Sequence, residues 1–133
     1  MERQIKFRGY NLKNKKWIYG YYFVNRGKHF IADDGLAAPG ATWEDFEVDS
    51  KSVGQYVCTT FAGVDIYEGD CVRRYFDEGR YECSIIGYVR FHKPNLMWYI
   101  VDCKTFSPIA HINYESLIAK YEVIGNEYEK KTK

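Results

Sequence analysis

The sequence predicts a mainly β fold: an antiparallel meander forming a barrel or half-barrel, with one short helix near the C-terminus. Three observations predict it. Aromatic residues make up 18% of the chain, with 13 tyrosines against 3 prolines, a composition that favours strands over helices and disorder. Glycine, asparagine and proline turn signals recur at intervals of about ten residues between short β-rich runs. Along Trp17–Val24, Trp17, Tyr19, Tyr21 and Phe23 share one face while Ile18, Tyr22 and Val24 share the other. A strand apolar on both sides suits a closed or half-closed barrel, or an interface between copies of the chain. The 133 residues suit a single domain over positions 1–133 with a core of its own.

The elements follow in order. Ile5–Tyr10 alternates apolar and polar at period two, "NLKNKK" supplies turn residues, and Trp17–Val24 completes a first hairpin. Asn25–Lys28 turns the chain into the short run "HFIA", and "DDGLAAPGAT" reads as a loop. "WEDFEV" suits either a strand or a helical turn, because Trp43 and Phe46 are three residues apart. Val53–Phe61 is a strand, Ala62-Gly63 a turn, and "CVRRYF" and "YECSIIGYVRF" are strands around the turn "DEGR", with Gly87 placed to permit a bend or bulge. "HKPN" leads into the strand "MWYIVDC". Asn113–Lys120 is the helical stretch, with Asn113 as its cap, and "YEVIGNEYEKKTK" is a short strand, a Gly-Asn turn and a charged tail.

Several chemistries lack their residues. The N-terminus is charged where a signal peptide needs an apolar core, and no run approaches the ~18 apolar residues of a membrane span, so a cytoplasmic protein without membrane contact is expected. Cys58, Cys71, Cys83 and Cys103 are separated by 13, 12 and 20 positions, which matches no zinc knuckle, and they read as packing thiols. His29, His92 and His111 form no metal pattern, and His111 with Asp102 and Cys103 has no nucleophile spacing above chance. No cofactor, metal or enzymatic activity is expected.

"VDIYEGDCV", Val64–Val72, sets Gly69 between Glu68 and Asp70. Two carboxylates so close invite an acid/base reading, but a catalytic pair must face each other across a cleft, which neighbours around a turn seldom do. As a tight turn the segment is self-explanatory: Gly69 supplies the positive φ, and Asp70 accepts hydrogen bonds from amides the turn leaves unpaired.

Charge is segregated. Residues 1–28 carry eight cations against one acid, a net of +7, while residues 33–49 carry six acids and no cation, a net of −6. Three readings are open. Lys13, Lys15 and Lys16 beside Trp17 could attract phosphates and stack bases, although a whole-chain charge of +1 is small for a nucleic-acid binder. The basic segment of one copy could meet the acidic segment of another, or the two could pair within one subunit.

The segments "IKFRGYNLKNKKWIYG", "VDSKSVGQYVCTTFAGVDIYEGDCVRRY", "GYVRFHKPNLMWYI" and "YEVIGNEYE" together resemble the ordered landmarks of the YopX family of phage and prophage proteins. In that family the pattern runs I-K-F-R-x-W/Y, then V-G-Q-Y/F-T-G-L, I-Y-E-G-D-x-V and V-I-G-N-x-Y-E. The resemblance covers nearly the whole chain. It marks Gly54, Gln55, Tyr67, Glu68, Gly69, Asp70, Gly125 and Asn126 as structural-motif positions. After Tyr56 this chain departs from T-G-L with Val57-Cys58-Thr59, and its tail lacks the N-P-E-L ending. The resemblance implies a mainly β half-barrel with a small helix, encoded by a phage or prophage of Gram-positive bacteria, and no activity. The expectation is a non-enzymatic accessory protein that works through homo-oligomerisation or contacts with a host or phage protein, the alternative being a nucleic-acid-binding small barrel.

Overall fold

The computed structural model of the chain describes residues 5–33, 39–60, 63–78, 81–93, 96–112 and 120–132. They fall into two compact units, Met1–Tyr56 and Val57–Lys133.

In the first unit, β1 (Phe7–Asn11), β2 (Lys16–Asn25), β3 (Lys28–Ala32) and β4 (Glu47–Val48) follow one another as antiparallel neighbours. The ten-residue β2 serves two partners in succession. Its first half pairs with β1, from Asn11↔Lys16 to Phe7↔Gly20, and its second half with β3, from Tyr21↔Ala32 to Asn25↔Lys28. A Cβ at Gly20 would stand 2.2 Å from the Ala32 carbonyl oxygen, so only glycine lets β3 come this close where the sheet changes partner. Arg26 (φ 52) and Gly27 (φ 77) form the two consecutive left-handed positions of a primed hairpin turn, which matches the twist of the strands it joins.

This coiling turns one face of the sheet inward, where Ile18, Ile31 and Val48 are buried with Phe7, Tyr22 and Val53 packed against them. Beyond β4 the chain returns to the outer edge of β1. The Asp49 amide donates to the Tyr10 carbonyl (3.0 Å), and the Tyr10 amide donates to Ser52 Oγ (2.7 Å). Asn11, fully buried, ties the same seam: its Nδ2 donates to the Glu44 and Glu47 carbonyls (3.1 and 2.8 Å), and its Oδ1 accepts from the Asn14 amide (2.6 Å). Among the described residues no strand ladder links β4 to β1, so of the barrel or half-barrel expected the closed form is not what these strands make. "WEDFEV" contains both structures its spacing allowed, a 3-10 turn at Trp43–Asp45 and then the two residues of β4.

β5 (Gly54–Thr59) starts against β1, with Arg8↔Gly54 and Phe7↔Gln55, and runs into the second unit, where β6 (Asp65–Tyr67) is its neighbour. The second unit is built on a five-stranded antiparallel sheet of β7 (Asp70–Glu78), β8 (Tyr81–His92), β9 (Met97–Val101), β10 (Pro108–His111) and β11 (Lys120–Asn126). Its order is β10-β9-β8-β7-β11. Ile66, Val72, Val89, Ile100 and Tyr121 form the buried core, with Val57, Cys58, Ile85, Trp98 and Ile112 against it.

Gly87 has a different purpose from the bend its position suggested. The β7–β8 ladder runs through it in register, Val72↔Gly87, the β8–β9 ladder begins at the next residue, Tyr88↔Val101, and a Cβ at Gly87 would lie 2.4 Å from the Val101 carbonyl oxygen and 2.5 Å from Ile100 Cγ2. It is glycine because β9 lies on it. The irregularities fall on the outer strands instead, between Val123 and Gly125 of β11 and between Pro108 and Ala110 of β10.

Two elements were not expected. β10 begins with proline, tolerated at the first position of an edge strand, and its four residues are too few to show a period. The charged tail is a helix, α1 (Glu127–Thr132), and Asn126 is its cap, accepting the Glu129 amide on Oδ1 at 2.8 Å. The one short helix near the C-terminus is therefore present, at these residues. The stretch Asn113–Lys120 lies outside the described residues except for Lys120, which opens β11.

Candidate functional site

β6 and β7 belong to different sheets, so Glu68-Gly69 redirects the chain from one sheet into the other rather than closing a hairpin. Gly69 takes φ 90, in the left-handed region that glycine enters at little cost. Asp70 is buried, and its Oδ2 accepts the Tyr67 amide at 2.8 Å across the turn. The Gly69 amide donates to the Val89 carbonyl of β8 (2.9 Å), and the Gly69 carbonyl accepts the Glu127 amide at the start of α1 (2.7 Å). The register of β11 on β7 sets Asn126 opposite Asp70 and Gly125 opposite Cys71. The Glu127 carboxylate pairs with Arg90, whose guanidinium also stands 4.8 Å over the Phe106 ring.

Tyr67, Glu68, Gly69, Asp70, Gly125 and Asn126 thus meet at one corner of the second unit. Gly54 and Gln55 do not join them; they sit at the start of β5 against β1. A family described as YopX protein matches residues 6–132, a span that contains both landmark segments of this corner. The chain belongs to the YopX family. No curated protein and no solved structure matches the chain.

In this YopX family member two side chains of the corner bond to backbone amides. Asp70 Oδ2 accepts a turn amide and Asn126 Oδ1 accepts a helix amide, while the Glu127 carboxylate pairs with Arg90. Asp102 has a similar task in the loop after β9, where its Oδ1 accepts the Lys104 and Thr105 amides (2.8 and 2.9 Å), which lower its pKa. Cys58 is a packing thiol: burial, and then the nearby Asp65 charge, pushes its pKa up to about 11.

The basic and aromatic set of the first unit is divided. Lys13 pairs with Asp45 (3.1 Å) and Glu44 (3.8 Å), and Lys28 with Glu47 (3.9 Å), so members of the basic block meet the acidic block within one chain. Asp45 is also the acceptor for the Thr42 amide; that bond and then Lys13 hold its pKa down to about 2. A carboxyl carbon titration by NMR is expected to give a midpoint near 2 for Asp45, moving up toward the usual carboxylate range in Lys13→Gln. Because the folded pKa lies below the unfolded value of 3.8, the pairing is fully present above about pH 4 and is lost as pH falls toward 2. A Lys13→Gln midpoint unchanged from wild type would show that the lysine has no part in it.

Trp17 lies against its neighbours, with the Arg8 guanidinium 4.9 Å over its ring and Tyr10 edge-on at 5.4 Å. Lys15 and Lys16 are exposed at the turn, and Lys15 takes φ 53. The face of β2 opposite the core is where aromatic surface is left open. Phe23 stacks on Phe30 at 5.2 Å and meets Trp43 edge-on at 5.9 Å, whereas Tyr19 is half-exposed and Tyr21 is 75% exposed. Alternation along β2 is legible in the sequence; that Tyr21 on this face stays exposed while Trp17 and Phe23 are packed is not, because cover depends on residues distant in sequence.

Proposed function

We propose that this YopX family member is a non-enzymatic accessory protein of a phage or prophage, acting in the host cytoplasm by binding another polypeptide through the outer face of β2. The observation that carries this reading is Tyr21, a large amphipathic ring 75% exposed in the middle of a ten-residue strand, with Tyr19 half-exposed beside it. Tyrosine on a rigid strand loses little conformational entropy when it docks, which is why it is enriched at protein interfaces. The family resemblance supports the phage setting. In-chain pairing of Lys13 and Lys28 with acids weakens the case for association driven by charge, and points to contact through aromatic area.

Light scattering coupled to size exclusion tests the self-association form. The expected result is an oligomer that persists at physiological salt and becomes monomeric in the Tyr19→Ser, Tyr21→Ser double variant. A monomer at both low and physiological salt, together with host-protein capture that ignores the two substitutions, would overturn the reading. The nucleic-acid alternative rests on exposed Lys15 and Lys16. It predicts anisotropy changes with labelled oligonucleotides at roughly 50 mM salt that vanish as salt rises.

A further inference from the structure

The outer face of the second sheet is sheltered at one end. Side chains alternate along β8 and β9, so Val89 and Ile100 enter the core while Ile86, Tyr88 and Arg90 share the opposite face with Tyr99 and Val101. Ile86 is 40% exposed there, whereas Tyr88 and Val101 are 5% exposed. Arg90, the next residue of β8 on this face, is held from outside the sheet: the Glu127 carboxylate of α1 pairs with it, and the Phe106 ring of the β9–β10 loop lies 4.8 Å from its guanidinium.

Neither outside element keeps its place unaided. α1 has six residues, too few to stay helical in water by itself, and Glu127 moors it twice, by its amide on the Gly69 carbonyl (2.7 Å) and by its carboxylate on Arg90. Phe106 takes φ 57, in the left-handed region that a bulky side chain enters at a cost. The loop closes through backbone bonds, the Phe106 amide donating to the Asp102 carbonyl and the Asp102 amide to the Ser107 carbonyl, both at 2.9 Å. Glycine or asparagine at position 106 would make the same bonds with less strain. What phenylalanine adds is the ring under Arg90, so one guanidinium serves both elements.

We propose that α1 and the β9–β10 loop form one latch with Arg90 as its catch, opening and closing together over Tyr88 and Val101 while the sheet beneath stays folded. Glu127 fixes the guanidinium on which Phe106 rests, and Phe106 fixes it for Glu127. Coupling of this kind is reciprocal, so loosening either element loosens the other. The Arg90 side chain is 42% exposed, which keeps the ion pair weak enough for the latch to release without unfolding the core. Open, the latch bares a tyrosine and a valine and gives the chain a conditional apolar surface.

Amide exchange followed by NMR on the full-length chain tests the latch in Glu127→Gln and Phe106→Asn. The first removes the charge from α1; the second suits the left-handed backbone and removes the ring. In Glu127→Gln the expected result is exchange about three- to fivefold faster at the Glu129 amide and, by the same factor, at the Phe106 amide of the other element. Phe106→Asn is expected to speed exchange at Glu127 and Glu129 in turn, and in both variants Val89 and Ile100 keep their wild-type rates. Nitration of Tyr88 by tetranitromethane, read by peptide mapping, should quicken in step. Faster exchange confined to the element that carries the substitution would leave two separate contacts and overturn the proposal. So would a parallel rise at Val89 and Ile100, no rise in either element, or Tyr88 nitration indifferent to both substitutions.

Discussion

Asn11→Ala is expected to destabilise the first unit by about 3 kcal/mol, because the substitution strands three backbone groups at once. The Glu44 and Glu47 carbonyls lose their donor and the Asn14 amide loses its acceptor, all around a side chain with no access to water. Truncation also leaves a void beside Gly9, where β1 comes so near β4 that a Cβ would lie 2.8 Å from three carbons of Val48. Asn11→Asp sharpens the test. At neutral pH it sets a carboxylate against two carbonyl oxygens, and it recovers partly in acid, when the protonated oxygen again donates. The group's folded pKa is raised above its unfolded value, so stability is lost as pH rises through it. Amide exchange read residue by residue, alongside urea unfolding, checks both, and protection should fall in β1, β3 and β4. Unchanged protection in Asn11→Ala would show that the seam between β4 and β1 does not depend on this side chain.

Gly87→Ala is expected to cost the second unit about as much, about 3 kcal/mol and about 10 °C in Tm, by steric rather than polar means. The added methyl meets the backbone oxygen of Val101, which cannot swing aside as a side chain could, so β8 and β9 must separate or the sheet must shift. Ile100→Val in the same chain removes only Cδ1 and keeps both the Cγ2 methyl and the Val101 oxygen in the way, so it should give no rescue. Full stability in the single variant, measured by thermal unfolding and by exchange at Val89 and Ile100, would contradict the observed approach of the two strands.

These two residues also mark how far the sequence could be read. Period-two alternation and turn chemistry located β2, β8 and β9 well, and Arg26-Gly27 and Gly69-Asp70 act as the local rules for such residues require. Local rules do not reach across the chain. Asn11 sits in a stretch rich in turn residues, and its link to positions 44 and 47 cannot be inferred from "NLKNKK". Gly87 suggested a bend because the residue lying on it is fourteen positions away, Val101. The missed helix is a different case. Asn126 and Glu129 have the spacing of a capped helix start, and the signal was overridden by a Gly-Asn pair that more often marks a turn. At the candidate site, the alternation of aromatics on β2 was visible, whereas the open face at Tyr19 and Tyr21 depends on what tertiary structure leaves uncovered.

The order of strands in the second sheet has a consequence for biosynthesis. β7 lies between β8 and β11, and its Val72 must wait for Val123, 51 positions later in the chain. At translation rates of about 5–20 residues per second that edge of β7 stays unpaired for roughly 3–10 s on each nascent polypeptide. The Gly69 carbonyl likewise lacks the amide of Glu127, 58 positions later in the chain. A ribosome that stalls or terminates before β11 therefore releases a chain in which β1 to β4 are complete and the second sheet has a bare, aggregation-prone margin.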